Sequence, residues 1–305
     1  MPERPRIRRA VTAILLLSPW LVLLSCAIEL DFDRYAVVYG ISEYVAVGVQ
    51  DLEYSDDDAQ ALSAILTGQG YNAVTRTDAA ATYAQLISDL SQVAQQAGRD
   101  DLFVFFFSGH GCQDVSGGGE PPGGDGPSEG IVLNTASDYY ILTDDELGGL
   151  VEDIPCNKKV VIIDACNSGG FIGNELESDG TPPEYDGGTE GFGALLSDAI
   201  SLYLNYGDAG YDIDPSDAIV LAASGEREVS FESSQYQHGV FSYFLLESAR
   251  DGDLDGDGMV TALEAFYYAK EQIEREWNVL FSGAYEQFSP HISGGPVDFY
   301  LFDAE

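Results

Sequence analysis

From Tyr35 onward, short apolar runs alternate with stretches in which apolar residues recur at helical spacing. Tyr35-Ala-Val-Val-Tyr-Gly-Ile41 reads as a buried strand, and Asp56 to Gly70 as a helix through Ala59, Leu62, Ile65 and Leu66. Tyr71 to Arg76 predicts a second strand, and Thr82 to Ala97 a second helix with Tyr83, Leu86, Leu90 and Val93 on one face. Three further runs, Asp101 to Ser108, Lys158 to Asp164 and Asp217 to Ala223, are almost continuously apolar. Strands apolar on both faces, alternating with amphipathic helices, indicate an α/β fold: a mostly parallel central sheet flanked by helices on both faces. The aromatic run Phe103 to Phe107 is then core, and chemistry belongs beyond the carboxyl ends of the strands. Two Gly/Pro-rich polar stretches, 114–130 and 173–191, read as surface loops that are either solvated or border a cleft.

The first 34 residues break this rhythm. Arg4, Arg6, Arg8 and Arg9 precede an apolar run from Ala10 to Leu24, followed by Ser25-Cys26. A positive start, a short apolar stretch and a small residue before a cleavage point describe an export signal rather than a spanning helix, which needs about 20 apolar residues. Leu23-Leu24-Ser25-Cys26 resembles a bacterial lipobox, which implies cleavage before Cys26 and diacylation of its thiol; ordinary cleavage near Ser25 or Ala27 is the alternative. The expected organisation is a signal over 1–25, a linker over 26–34 and one domain over 35–305, exported and lipid-anchored at the cell envelope, or else secreted.

Charge changes the picture next. The chain carries 13 Lys+Arg against 52 Asp+Glu, a net charge of −39. Removal of residues 1–25 takes away four Arg and one Glu, leaving 9 basic and 51 acidic residues and a charge of −42. Nothing here neutralises a run of phosphates, so nucleic acid is excluded as a partner. With 45% hydrophobic residues the acidity is not that of a disordered tail. Four cysteines are too few for a disulfide scaffold. The Cys112 and Cys156 positions fall at opposite edges of a parallel sheet, so they are not expected to pair.

Two strand ends carry reactive residues. Ser108-Gly-His110-Gly111 follows Phe107, and Asp164-Ala-Cys166-Asn-Ser-Gly-Gly170 follows Ile163. In a parallel sheet these ends share an edge, so His110 and Cys166 meet although 56 positions apart. A thiol needs a base or positive charge to become a thiolate near neutral pH, and an imidazole is then placed to protonate a leaving amine. The flanking glycines allow sharp turns and leave amides for an oxyanion. His238 and His291 have no comparable context and read as spare. Cys112 could line the cleft, and Glu226 and Glu232 read as surface residues.

On these two motifs the chain resembles the caspase-haemoglobinase clan, and within it the bacterial metacaspase-like (orthocaspase) peptidases. Asp164 stands where the caspase signature has Gln, which is the metacaspase form. The likeness runs from Tyr35 to Phe302 and takes in Leu52-Glu-Tyr-Ser-Asp-Asp-Asp-Ala59, Leu142-Thr-Asp-Asp-Glu-Leu147, Ala222-Ala-Ser224 and Gly239-Val-Phe-Ser-Tyr243. The resemblance implies the caspase-haemoglobinase fold, His110 as general base and acid, Cys166 as the nucleophile of a thioester acyl-enzyme, and an oxyanion held by the amides of Gly111 and Cys166. It also implies an acidic pocket for Arg or Lys, with Asp58, Asp164, Ser55 and Ser108 at the matching positions. A carboxylate at a pocket floor pairs with guanidinium or ammonium and rejects acidic side chains. In the helix-start run Asp56-Asp57-Asp58, the first two are suited to capping while Asp58 faces the cleft. Between Lys159 and Arg227 there is no Lys or Arg, so an enzyme selecting basic residues would act as a single chain, uncut there. A monomer is expected, with protein or peptide substrates.

A second motif is independent of the first. Asp253-Leu-Asp255-Gly-Asp257-Gly-Met259-Val-Thr261-Ala-Leu-Glu264 matches the EF-hand calcium loop, with carboxylates at the first, third, fifth and twelfth places and Gly258 at the sixth. The Met259 carbonyl would be the seventh-place ligand, and helices are expected over 241–249 and 262–277. One Ca2+ and no organic cofactor are therefore expected, in a role that either ties down the C-terminal helix or controls catalysis. The sequence reads as a cysteine endopeptidase cleaving after Arg or Lys. The alternatives are a silent caspase fold used for binding, another specificity of the same clan, or a calcium-binding surface lipoprotein.

Overall fold

The computed structural model describes residues 32–113, 129–167, 218–224, 229–283, 287–294 and 299–304. The expected export signal with Cys26, the loop residues 114–128 and 173–191, and Glu226 lie outside the described residues. Five strands follow the predicted runs: β1 (Arg34–Gly40), β2 (Asn72–Thr77), β3 (Leu102–Gln113), β6 (Lys158–Asn167) and β7 (Ala218–Ala222). They stand in the order β7-β6-β3-β1-β2, all parallel, with the first two helices, α1 (Ser55–Gly68) and α2 (Tyr83–Gln96), in the crossovers.

The hydrophobic pattern explains the layers. Phe103 to Phe107 are fully buried at every position, as expected of a strand covered on both faces. Tyr39, Phe103, Phe105, Phe107 and Val161 form one core with Leu86, Leu90 and Val93 of α2. α1 packs on β1, β2 and β3 and against α4 (Val240–Asp251), which packs on α5 (Ala262–Gln272). Gly40 allows that first contact, because a Cβ there would lie 2.1 Å from the Ser55 carbonyl oxygen and 2.6 Å from Ala59 Cβ. The α/β expectation, with a mostly parallel sheet, holds.

Three features differ from the sequence reading. β3 and β6 continue past Ser108 and Asp164, so His110 and Cys166 sit inside strands rather than after them. The extension of β3 has a physical cause: β4 (Glu129–Asn134) pairs antiparallel with Gly111 to Gln113 and prolongs the ladder, and β5 (Tyr139–Thr143) pairs with β4. α3 (Asp144–Glu152) then starts on a Thr143/Glu146 capping box. Second, β10 (His291–Gly294) adds an antiparallel strand beside β7. Third, the helix expected to run to Trp277 is α-helical only to Gln272 and continues as a π-helical turn over Ile273–Trp277. Among the described residues no helix is long and apolar enough to cross a membrane. Cys112 and Cys156 are buried, and the Cys112 thiol donates to the Gly130 carbonyl at 3.6 Å, under β4 rather than in a cleft.

Candidate active site

The register of β3 on β6 sets His110 directly beside Cys166, Ser108 beside Asp164 and Gly111 beside Asn167. Two residues that share no local sequence thus become neighbours through strand pairing alone. His110 is 1% exposed, and the loop between β1 and α1 fixes it. Its backbone N–H donates to the Tyr44 hydroxyl at 2.8 Å, the Tyr44 ring lies 4.8 Å from the imidazole, and Nε2 is 2.7 Å from the Gln50 carbonyl oxygen. A carbonyl only accepts, so Nε2 carries the proton and the lone pair of the neutral ring falls on Nδ1. The loop is itself pinned: Asp51 accepts from the Tyr44 amide, Asp78 from the Ser42 and Glu43 amides, and Asn134 from the Val45 amide, each at 2.9 to 3.0 Å. No sequence motif announces Tyr44, Gln50 or Asn134; a buried asparagine that accepts from the Val45 amide and donates to the Glu43 and Asp78 carbonyls is visible only once the chain is folded.

The two predicted pocket carboxylates are brought together around one glycine. A Cβ on Gly239 would lie 2.6 Å from Asp164 Oδ2 and 2.9 Å from Asp58 Oδ2. Asp58 Oδ2 accepts from Ser108 Oγ at 2.8 Å, Oδ1 pairs with His238 Nδ1 at 2.8 Å, and the Gly239 amide lies 3.1 and 3.2 Å from the two oxygens. Asp164 Oδ1 accepts from Ser230 Oγ at 2.5 Å, and Oδ2 from the amide and hydroxyl of Ser242 at 3.0 and 2.7 Å. Burial pushes the Asp58 carboxyl above the usual range, partly offset by the His238, Ser108 and Gly239 donors. Burial, with the Asp58 charge second, pushes Asp164 up to about 6.

A third buried carboxylate shows what a structural one looks like. Asp89 takes two bonds from Arg76 at 2.9 and 3.0 Å, with Tyr39 at 2.7 Å and Gln85 at 2.8 Å. Burial acts on it too, but these donors hold its carboxyl below the ordinary value. Among the described residues no guanidinium reaches Asp58 or Asp164, and their one basic neighbour is His238.

The remaining predicted residues fall in two groups. Ser55 is buried at the start of α1 and its hydroxyl is directed at Glu232, 3.4 Å away, rather than at Asp58. Glu232, read as surface from sequence, instead accepts from the Glu53 and Tyr54 amides at 2.8 Å, where α1 has no side-chain cap of its own. Asp56 pairs with Ser42 at 2.6 Å. His238 is corrected from a spare residue to a partner of Asp58, because the hairpin of β8 (Glu232–Ser233) and β9 (His238–Gly239) folds back over α1.

In the EF-hand-like loop, Asp253, Asp255 and Asp257 each offer a carboxylate oxygen within 4.8 Å of the others. Gly256 and Gly258 turn the chain with φ of +80° and +88°. Hard oxygen donors so gathered fit a calcium ion. Glu264 stands apart from the three: its carboxylate closes a capping box with Thr261 and accepts from the Leu254 and Asp255 amides. Burial raises its carboxyl, but those donors outweigh this and hold it below the ordinary value.

The caspase domain family model matches residues 33–287. No curated protein matches the chain. Among solved structures, the chain is similar to that of protein GSU0716 from Geobacter sulfurreducens, with 20% identity and a TM-score of 0.56 over 87% of this chain and 95% of that one, a likeness of fold. The match over 33–287, the flanked parallel sheet and the His110–Cys166 register together make this chain a member of the caspase domain family, a clan of cysteine peptidases.

Proposed function

We propose that the protein is a cysteine endopeptidase that hydrolyses peptide bonds after Arg or Lys through His110 and Cys166. The observation that carries this reading is the register pair His110–Cys166, with Ser108–Asp164 two positions back along the same strands and Asp58 accepting from Ser108. With Nε2–H held on the Gln50 carbonyl, Nδ1 takes the thiol proton of Cys166. The thiolate adds to the carbonyl carbon, the oxyanion is held by the Gly111 and Cys166 amides, and the imidazolium gives its proton to the departing amine. Nδ1 then draws a proton from water, which cleaves the thioester and frees the acid.

The guanidinium or ammonium of the substrate would be held by Asp58 and Asp164, with Ser108 orienting Asp58; Ser55 supports the helix start. Asp253, Asp255, Asp257, the Met259 carbonyl and Glu264 would hold one Ca2+, which would offset half the charge of these four carboxylates and tie α4 to α5. Export, with lipidation at Cys26, and a single-chain monomer complete the reading.

The test is a peptide panel with Arg, Lys, Asn or Asp before the scissile bond, with and without calcium. Arg and Lys peptides are expected to be cleaved, Cys166→Ala to abolish cleavage, and Asp164→Ala to erase the basic preference. Full activity in Cys166→Ala sinks the mechanism.

A further inference from the structure

His238 lies in the hairpin that clamps both pocket carboxylates. The segment from Ser230 to Ser242 supplies Ser230 and Ser242 to Asp164, His238 and Gly239 to Asp58, and Glu232 to the start of α1. Of these donors only His238 is able to carry positive charge. Its side chain is 21% exposed, whereas that of Asp58 is fully buried, so the ring bridges solvent and the pocket floor.

Two carboxylates in one buried site resist ionising together and tend to share a proton. Such a protonated pair attracts a cation poorly, since a bound guanidinium must first displace the proton. Hydroxyls and amides lessen that cost without supplying charge. Asp89 meets the same problem with an arginine, at the expense of both its oxygens. In the pocket a resident arginine would fill the place the substrate's cation takes. An imidazole on Asp58 Oδ1 engages one oxygen of the pair, and the other three accept from neutral hydroxyls and amides of Ser108, Gly239, Ser230 and Ser242, which a substrate's cation is able to supplement without displacing a resident one.

We propose that His238 is a specificity-determining positioning residue: held on Asp58 Oδ1, it is the resident counter-charge that keeps the Asp58–Asp164 pair anionic and oriented in the empty enzyme, ready for a substrate's Arg or Lys. The proposal rests on the basic-side-chain reading of the pocket given above. It places the effect of His238 on binding of charged side chains and not on the chemistry at Cys166.

The test compares wild type, His238→Ala and His238→Asn on two peptides that differ only in arginine or its neutral isostere citrulline before the scissile bond. Asparagine sets an amide N–H near the place of Nδ1 and so retains the donor without the charge. In His238→Ala the KM for the arginine peptide is expected to rise about tenfold with kcat held, while both constants for the citrulline peptide stay put. His238→Asn is expected to recover part of the loss, and thermal melts of both variants report folding. If His238→Ala is unfolded, the asparagine variant decides, with a raised arginine KM expected. An unchanged ratio of arginine to citrulline KM, a lowered arginine KM, or an equal fall in kcat on both peptides would overturn the proposal while leaving the pocket reading in place. A wild-type enzyme that does not prefer arginine to citrulline overturns the pocket reading and this proposal with it.

Discussion

A methyl group on Gly109 would lie 2.7 Å from Phe107 Cζ and 2.8 Å from the Tyr44 hydroxyl. That hydroxyl accepts from the His110 amide, so the missing side chain is what lets Tyr44 reach the residue proposed as base. Gly109→Ala is expected to lower turnover about 10- to 100-fold by displacing the imidazole, and to cost about 1–3 kcal/mol of stability through overpacking. Peptide kinetics beside a denaturant titration separate the two effects. Asp164 gives a pH prediction. Its folded carboxyl is pushed from 3.8 to about 6, so between those values the folded chain holds a proton that the unfolded chain has lost. Stability from this group therefore falls as pH rises from about 4 to about 6 and stays low above that. Asp164→Asn is expected to stabilise the protein by about 2 kcal/mol at pH 7.5 and to lose that advantage near pH 4, at the expense of the basic preference. Equal melting temperatures for variant and wild type across that range would contradict it.

At the scale of elements, the parallel sheet was legible because each central strand is buried on both faces, as the unbroken run Phe103 to Phe107 shows. His110 and Cys166 were legible for the same reason: parallel strands bring their carboxyl ends to one edge. The antiparallel β4–β5 pair and the β8–β9 hairpin were not. Their strands are short, and what fixes them is partners far along the chain, Gly111 for Ile131 and Asp58 for His238. Glu232 shows the limit well, since it serves a helix start 178 positions away and nothing near it in sequence hints at that. The EF-hand-like loop was read from spacing alone, and three of its four acidic residues do gather. Calcium at a hundredfold excess over its Kd is expected to stabilise the chain by about 2.7 kcal/mol, and Asp253→Ala to remove that gain. Melting curves identical in calcium and in chelator would dispose of the metal site.

Over the whole molecule, the charge of −39 does more than exclude nucleic acid. Such a field draws cationic peptides toward the protein and does so less as salt rises. The same imbalance leaves few basic residues exposed to the proposed specificity, with none between Lys159 and Arg227, where a cut would separate Cys166 from the β8–β9 hairpin. The acidic pair takes its donors from both sides of that stretch, Ser108 before it and His238 and Ser242 after it. Nucleophile, base and pocket are thus claims about a single assembly, and one measurement addresses all of them. The protein is treated with a peptide acyloxymethyl ketone ending in arginine, or its twin ending in aspartate, and the product is read by intact and peptide-level mass spectrometry. One adduct per chain, on Cys166, is expected from the arginine reagent only, with much slower labelling in His110→Ala. No adduct on Cys166, or equal labelling by the aspartate reagent, would contradict it.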